Sequence, residues 1–149
     1  MKLISALAFV ATASTGAVIG LSWPQQKAAL PTAAYSARFD FCFTGGGMNC
    51  VVDGDTAWIA GVKVRLADID APETHPSRCP REAELGDRAT TRLAELMNAG
   101  PFQMTSIDRD EDRYGRKLRI LTRDGQSLGA QLVREGVARP WDGARHPWC

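Results

Sequence analysis

The sequence predicts an α+β fold, and three observations carry that expectation. Short stretches in which apolar and polar residues alternate read as half-buried strands, one long stretch repeats its apolar residues at helical spacing, and turn-forming residues punctuate the chain between them. Phe39, Phe41 and Phe43 alternate with Asp40, Cys42 and Thr44, so a first strand is expected near Arg38. Thr56 to Ile59 and Val62 to Ile69 read as a hairpin about Ala60-Gly61, with Val62, Val64 and Leu66 on one face and Lys63 and Arg65 on the other. From Arg81 to Asn98, Leu85, Ala89, Leu93, Leu96 and Met97 form one amphipathic helix, stopped by Gly100-Pro101. Phe102 to Ile107 and Lys117 to Thr122 are expected as strands joined by the polar stretch Asp108 to Arg116, and Leu128 to Glu135 as a short helix ending at Gly136. This inventory points to a small, partly closed barrel of the OB type, five-stranded with Greek-key order, and two packed helices.

A chain of 149 residues, 44% hydrophobic and 23% charged, favours one compact core over two domains. Three segments are expected: 1–23, 24–37 and 38–149. The first has one lysine, then an uncharged apolar run from Leu3 to Trp23. It reads as an export element, either a cleaved signal with Ala11-Thr12-Ala13 as a cleavage site, or an uncleaved membrane anchor, since about 20 apolar residues span a bilayer. The second is a polar linker. The protein is therefore expected to be exported, as a secreted, periplasmic or membrane-anchored molecule. Cysteines 42, 50, 79 and 149 suit an oxidising compartment, where Cys42 to Cys50 and Cys79 to Cys149 are the favoured disulfides among three connectivities. A zinc site is the rival use of the cysteines, disfavoured because no C-x-x-C spacing occurs and His75 and His146 lie in loop-like sequence. A net charge of +1 supplies no global attraction for a polyanion, so any such partner must be recognised locally.

Three strings hold the candidate chemistry. Val51-Val52-Asp53-Gly54-Asp55-Thr56 sets two aspartates about a glycine, a pattern that also serves as a simple turn. Arg65-Leu66-Ala67-Asp68-Ile69-Asp70-Ala71-Pro72-Glu73 puts an arginine on the polar face of a strand, an aspartate at that strand's end and a glutamate after a proline that stiffens the corner. Asp112-Arg113-Tyr114-Gly115-Arg116 is a tight connection rich in guanidinium groups, diluted by Asp108, Asp110, Glu111 and Asp112. Asp53 and Asp68 read as a turn residue and a surface charge. Trp58 and Trp148 read as packing groups.

In order and residue type these strings resemble the thermonuclease (staphylococcal-nuclease-like) family, from about Cys50 to Val137. The resemblance implies Asp55 and Asp70 as metal ligands, the Ala71 backbone carbonyl as a third, Glu73 as the catalytic glutamate, Arg65 and Arg116 as the phosphate-binding arginines, and Arg113 and Tyr114 as substrate-binding residues. It also implies an OB-type barrel, a Ca2+ cofactor, and DNA or RNA hydrolysis that leaves 3'-phosphate products, with no obligate protein partner. Where the family more familiarly has threonine this chain has Ala71, a small change if the ligand is main chain. Beyond Val137 the family's stacking tyrosines and long final helix are missing. The residue chemistry agrees: two aspartates brought together repel, and a hard divalent cation relieves that repulsion. The expected function is a calcium-dependent nuclease. The alternative is a non-catalytic OB-type module that holds nucleic acid or protein, which would not need all five charged residues.

Overall fold

The computed structural model describes residues 29–43 and 45–149. The export element, the first part of the linker and Thr44 lie outside the described residues. Among the described residues nine strands and two helices follow one another: β1 (Asp40–Phe41), β2 (Cys50–Asp53), β3 (Thr56–Ile59), β4 (Val62–Leu66), β5 (Ile69–Asp70), α1 (Pro80–Asn98), β6 (Gln103–Glu111), β7 (Lys117–Arg123), β8 (Gln126–Ser127), α2 (Leu128–Arg134) and β9 (Arg139–Pro140). The main sheet is mixed, in the order β1-β2-β3-β4-β7-β6 with β8 on β7, while β5 and β9 form a separate pair. Its β1–β2 and β4–β7 pairs are parallel and the others antiparallel. An α+β fold of OB-like character is what these elements make, with seven strands in the sheet because two-residue pieces, β1 and β8, extend it.

The β3–β4 hairpin pairs Ile59 with Val62 across Ala60 and Gly61, both at positive φ (50° and 78°), the conformation a tight two-residue hairpin demands. Amphipathic α1 buries Ala89, Leu93, Ala94 and Met97 against Val51, Ala57, Ile59, Val64 and Leu66 of the sheet. Glu82 is buried in its first turn and accepts a 2.6 Å bond from the Arg78 N–H, fixing the chain that enters the helix, while the N-cap Cys79 makes no side-chain cap bond. Helix α2 starts on Ser127, whose hydroxyl accepts from the Ala130 N–H, and ends before Gly136 at φ 74°. The two helices are tied by Arg92, which bonds Glu135 at 2.7 Å. Disulfides join Cys42 to Cys50 and Cys79 to Cys149.

Two strand expectations are corrected. Only Phe39 of the alternating phenylalanines enters the core; Phe41 is 44% and Phe43 90% exposed, because β1 is just two residues long and the Cys42–Cys50 bridge turns the chain there. Strand β6 runs on to Glu111, through a register irregularity between Ser106 and Glu111, so Asp108 to Glu111 of the polar stretch are strand and Asp112 to Arg116 form the turn. Its charged side chains fooled the pattern because nearly all of this strand faces solvent and pairs with cations of β7.

Candidate active site

The site begins with a close approach. A Cβ on Gly54 would lie 2.5 Å from the Ala89 Cβ of α1 and 2.8 Å from the Ala71 Cβ, so the Asp53-Gly54-Asp55 turn can press onto the helix only because it carries glycine. The β2–β3 pairing slips between Val51 and Asp53, the bulge needed at this rim. Asp55 stays opposite Leu66, whose N–H donates to the Asp55 carbonyl at 2.8 Å, and its side chain points across to β5. There the Ala71 N–H approaches Asp55 Oδ2 at 3.4 Å.

Arg65 joins the two aspartates. Its Nη2 donates to Asp55 Oδ2 at 3.2 Å and lies 3.8 Å from Asp70 Oδ1, while its other bonds run to the carbonyls of Leu66 and Ile69. The polar face of β4 is thus not a solvent face: Arg65 is 5% exposed, covered by the Trp141 ring 4.8 Å from its guanidinium carbon. Glu73 leaves the Pro72 corner half-buried. That corner packs on α1 at Gly86, where a Cβ would meet the Pro72 and Glu73 carbonyls at 3.0 and 3.1 Å.

Arg116 reaches the same place from the other side. Asp112 folds the turn, accepting from the N–H groups of Tyr114 and Arg116 and taking Arg116 Nε at 2.7 Å. So held, Arg116 Nη1 donates to the Thr56 hydroxyl at 3.2 Å, and that hydroxyl donates to Asp55 Oδ1 at 2.8 Å. Tyr114 is exposed at the rim beneath Arg113, whose guanidinium carbon sits 4.7 Å from its ring. Glu73, Arg65, Arg113, Tyr114 and Arg116 all line one cleft of about 990 Å³.

Charge in this cleft is unevenly met. Burial first, and then the neighbouring Asp55, push the Asp70 carboxyl above its ordinary value despite Arg145 and Arg65. Burial and Asp55 push Asp53 up to about 7. Asp112 behaves oppposite: burial alone would raise it, but the bonds from Arg116 and the turn hold it low. Asp70 Oδ1 is buried without a hydrogen-bond partner. Among the described residues no three acidic, histidine or cysteine side chains form a metal-holding group. Two close carboxylates with one unmet oxygen nevertheless fit a hard cation that takes its remaining ligands from main chain and water.

The structure places the five charged residues expected from the resemblance near one another, and their supports were not expected. Thr56 and Asp112, read as strand and diluting charge, connect Arg116 to Asp55. Asp68 is a connector rather than a surface charge: its side chain accepts from the Ser127 hydroxyl and its carbonyl from the Trp141 N–H. Arg145 was missed altogether and pairs with Glu73, its Nε lying 3.8 Å from Asp70 Oδ1. The Cys79–Cys149 pairing was the available signal, since it returns the tail to within a few residues of Glu73.

Fold and site together define a class: a small mixed-sheet protein with a buried aspartate pair at the head of an arginine-lined cleft. The chain belongs to the staphylococcal nuclease homologue family, which it matches over residues 63–146. It is similar to endonuclease YncB of Bacillus subtilis (strain 168), 38% identical over 98 residues covering 62% of this chain and 46% of that protein. It is also similar to a micrococcal nuclease of Shigella flexneri, 36% identical over 101 residues covering 59% of this chain and 53% of the relative. The chain thus spans about half the length of these curated relatives.

Proposed function

We propose that this protein is an exported, calcium-dependent nuclease that hydrolyses phosphodiester bonds of DNA or RNA. The observation that carries the reading is the single contact network of Asp55, Asp70 and Arg65, beside a cleft that Glu73 and Arg116 also line. The five longer strands, in the order β2-β3-β4-β7-β6, are read as the Greek-key barrel that presents this rim. The relatives' names, an endonuclease and a micrococcal nuclease, agree with the reading.

In this proposal Asp55, Asp70 and the Ala71 carbonyl hold Ca2+, which when bound polarises a phosphoryl oxygen and lowers the pKa of a nearby water. Glu73 accepts the proton of the attacking water or orients it, a role worth typically ~10²- to 10⁴-fold. Arg65 and Arg116 meet the charge that grows on the equatorial oxygens with forked, charge-assisted bonds. Thr56 and Asp112 fix the direction of Arg116, so little reorganisation accompanies the reaction. Arg113 and Tyr114 receive the nucleotide at the rim. Residues 1–23 act as signal or anchor, 24–37 as linker and 38–149 as the catalytic domain.

The test is incubation of purified protein with denatured DNA, with calcium and then with excess chelator. Calcium-dependent degradation, lost in Glu73→Gln while that variant still binds DNA, is the expected result. Binding without cutting in the parent protein would instead assign the non-catalytic alternative.

A further inference from the structure

Residues 141–149 form no helix or strand, yet the structure holds them firmly against the cleft. Strand β9 pairs with β5, setting Asp70 opposite Arg139, and the Trp141 N–H donates to the Asp68 carbonyl at 2.9 Å. Arg139 folds the tail back, bonding the Pro147 carbonyl at 3.1 Å and stacking 3.6 Å from the Trp148 ring centre. Asp142 closes the intervening turn by accepting from the Ala144 N–H and pairing with His146 at 2.8 Å. The Cys79–Cys149 disulfide fixes the end. What this bracing presents to the cleft is one guanidinium, Arg145, paired with Glu73 and near Asp70.

The other two arginines of the network already use part of their donors within the protein. Arg65 is buried and bonded to Asp55 and two main-chain carbonyls, and Arg116 is tied to Asp112 and Thr56. The Arg145 side chain is 40% exposed. Among the described residues its Nε and Nη2 make no hydrogen bond, and it lines the same cleft. It can therefore turn a fork of donors toward an entering phosphate without breaking any backbone contact, and guanidinium geometry matches phosphate oxygens in pairs.

We propose that Arg145 is a third phosphate-binding arginine of this site, delivered by a C-terminal segment that the Cys79–Cys149 disulfide holds beside Glu73. The inference rests on the nuclease reading, and deepens it by naming a substrate contact. Pairing with Glu73 keeps the guanidinium poised when no substrate is present, and an arriving phosphodiester replaces one carboxylate partner with another anion. In this chain the covalently tethered tail supplies affinity beside that of Arg65 on β4 and Arg116 at the turn.

The experiment uses the full chain in chelator, so that nothing is cut, and follows a short fluorescent single-stranded oligonucleotide by anisotropy over a range of salt. Losing one phosphate contact in Arg145→Ala should weaken binding about tenfold and flatten the salt slope by about 0.7. Arg145→Lys should recover part of the affinity. The Cys79→Ser/Cys149→Ser pair should show the same loss as Arg145→Ala, because the untethered tail no longer presents the guanidinium. Should parent and Arg145→Ala bind with equal affinity and slope, Arg145 is no phosphate ligand, and calcium-dependent cleavage by the parent would leave the nuclease reading standing. If Arg145→Ala binds oligonucleotide unchanged and, in a separate calcium titration without chelator, takes up calcium more tightly, the arginine is only a counter-ion of the carboxylates and the proposal is overturned. A parent that neither binds nor cuts overturns both readings.

Discussion

Replacing Gly54 by alanine adds a single methyl group at the point where the aspartate turn meets α1. That methyl would stand 2.5 Å from the Ala89 Cβ and 2.8 Å from the Ala71 Cβ, where carbon atoms ordinarily rest about 3.5–4.0 Å apart. Neither neighbour is the end of a flexible side chain, so the helix or the turn must retreat by about 1 Å. Overpacking of this kind costs about 1–3 kcal/mol, and in a domain of this size each kcal/mol lowers the melting temperature by about 4 °C. The same retreat carries Asp55 away from Asp70 and Arg65, and a misplacement of about 1 Å costs on the order of 10²-fold in rate. The assay is a melting curve and an initial rate of DNA hydrolysis for Gly54→Ala, with Gly45→Ala as control because a Cβ there meets nothing within 4 Å. Adding Ala89→Gly should restore part of the rate, although glycine inside a helix itself costs about 0.5–1 kcal/mol. If Gly54→Ala melts and cuts like Gly45→Ala, the close approach does not position Asp55 and the reasoning fails.

Arg65→Lys should be damaging twice, dropping the rate at least ~10²-fold and the stability by about 1–3 kcal/mol, since one ammonium cannot serve Asp55, Leu66 and Ile69 together; unchanged denaturation midpoints would argue against the bracing role. The disulfides should differ in worth because they close 70-residue and 8-residue separations: chain entropy predicts about 4 kcal/mol for Cys79–Cys149 and about 2.5 for Cys42–Cys50, measured by urea unfolding of the paired serine variants. Hydrogen bonding to Arg92 lowers the Glu135 carboxyl below 4.5, so its contribution is present above that value and lost as the pH falls through the lowered one. Glu135→Gln should therefore melt lower near neutrality by a modest ~0.5–1 kcal/mol equivalent, and the gap should close in acid; a gap that widens in acid would contradict the sign.

Where an element is decided by its own neighbours, the sequence made it legible. The hairpin at Ala60-Gly61 and the helix over Leu85 to Met97 are local patterns, and the structure has both. The family resemblance of the three strings pointed to Asp55, Asp70, Glu73, Arg65 and Arg116; Glu73, Arg65 and Arg116 line one cleft, and Arg65 contacts both aspartates. Contacts made at long range were not legible. Arg145 meets Glu73 because the β5–β9 pair and a disulfide return the tail, Thr56 matters because Asp112 aims Arg116 at it, and Gly54 is required by a helix more than thirty residues downstream. Period-two alternation also misled at Phe41 and Phe43, which none of the described elements covers.

The central claim is that Asp55 and Asp70 together create the cation site on which phosphodiester cleavage depends. Initial rates of denatured-DNA hydrolysis measured across a calcium titration, for the parent and for Asp70→Asn, test it most directly. The parent should rise to saturation and the variant should need far more calcium or stay flat. Superimposed curves, or a parent rate indifferent to calcium, would contradict it.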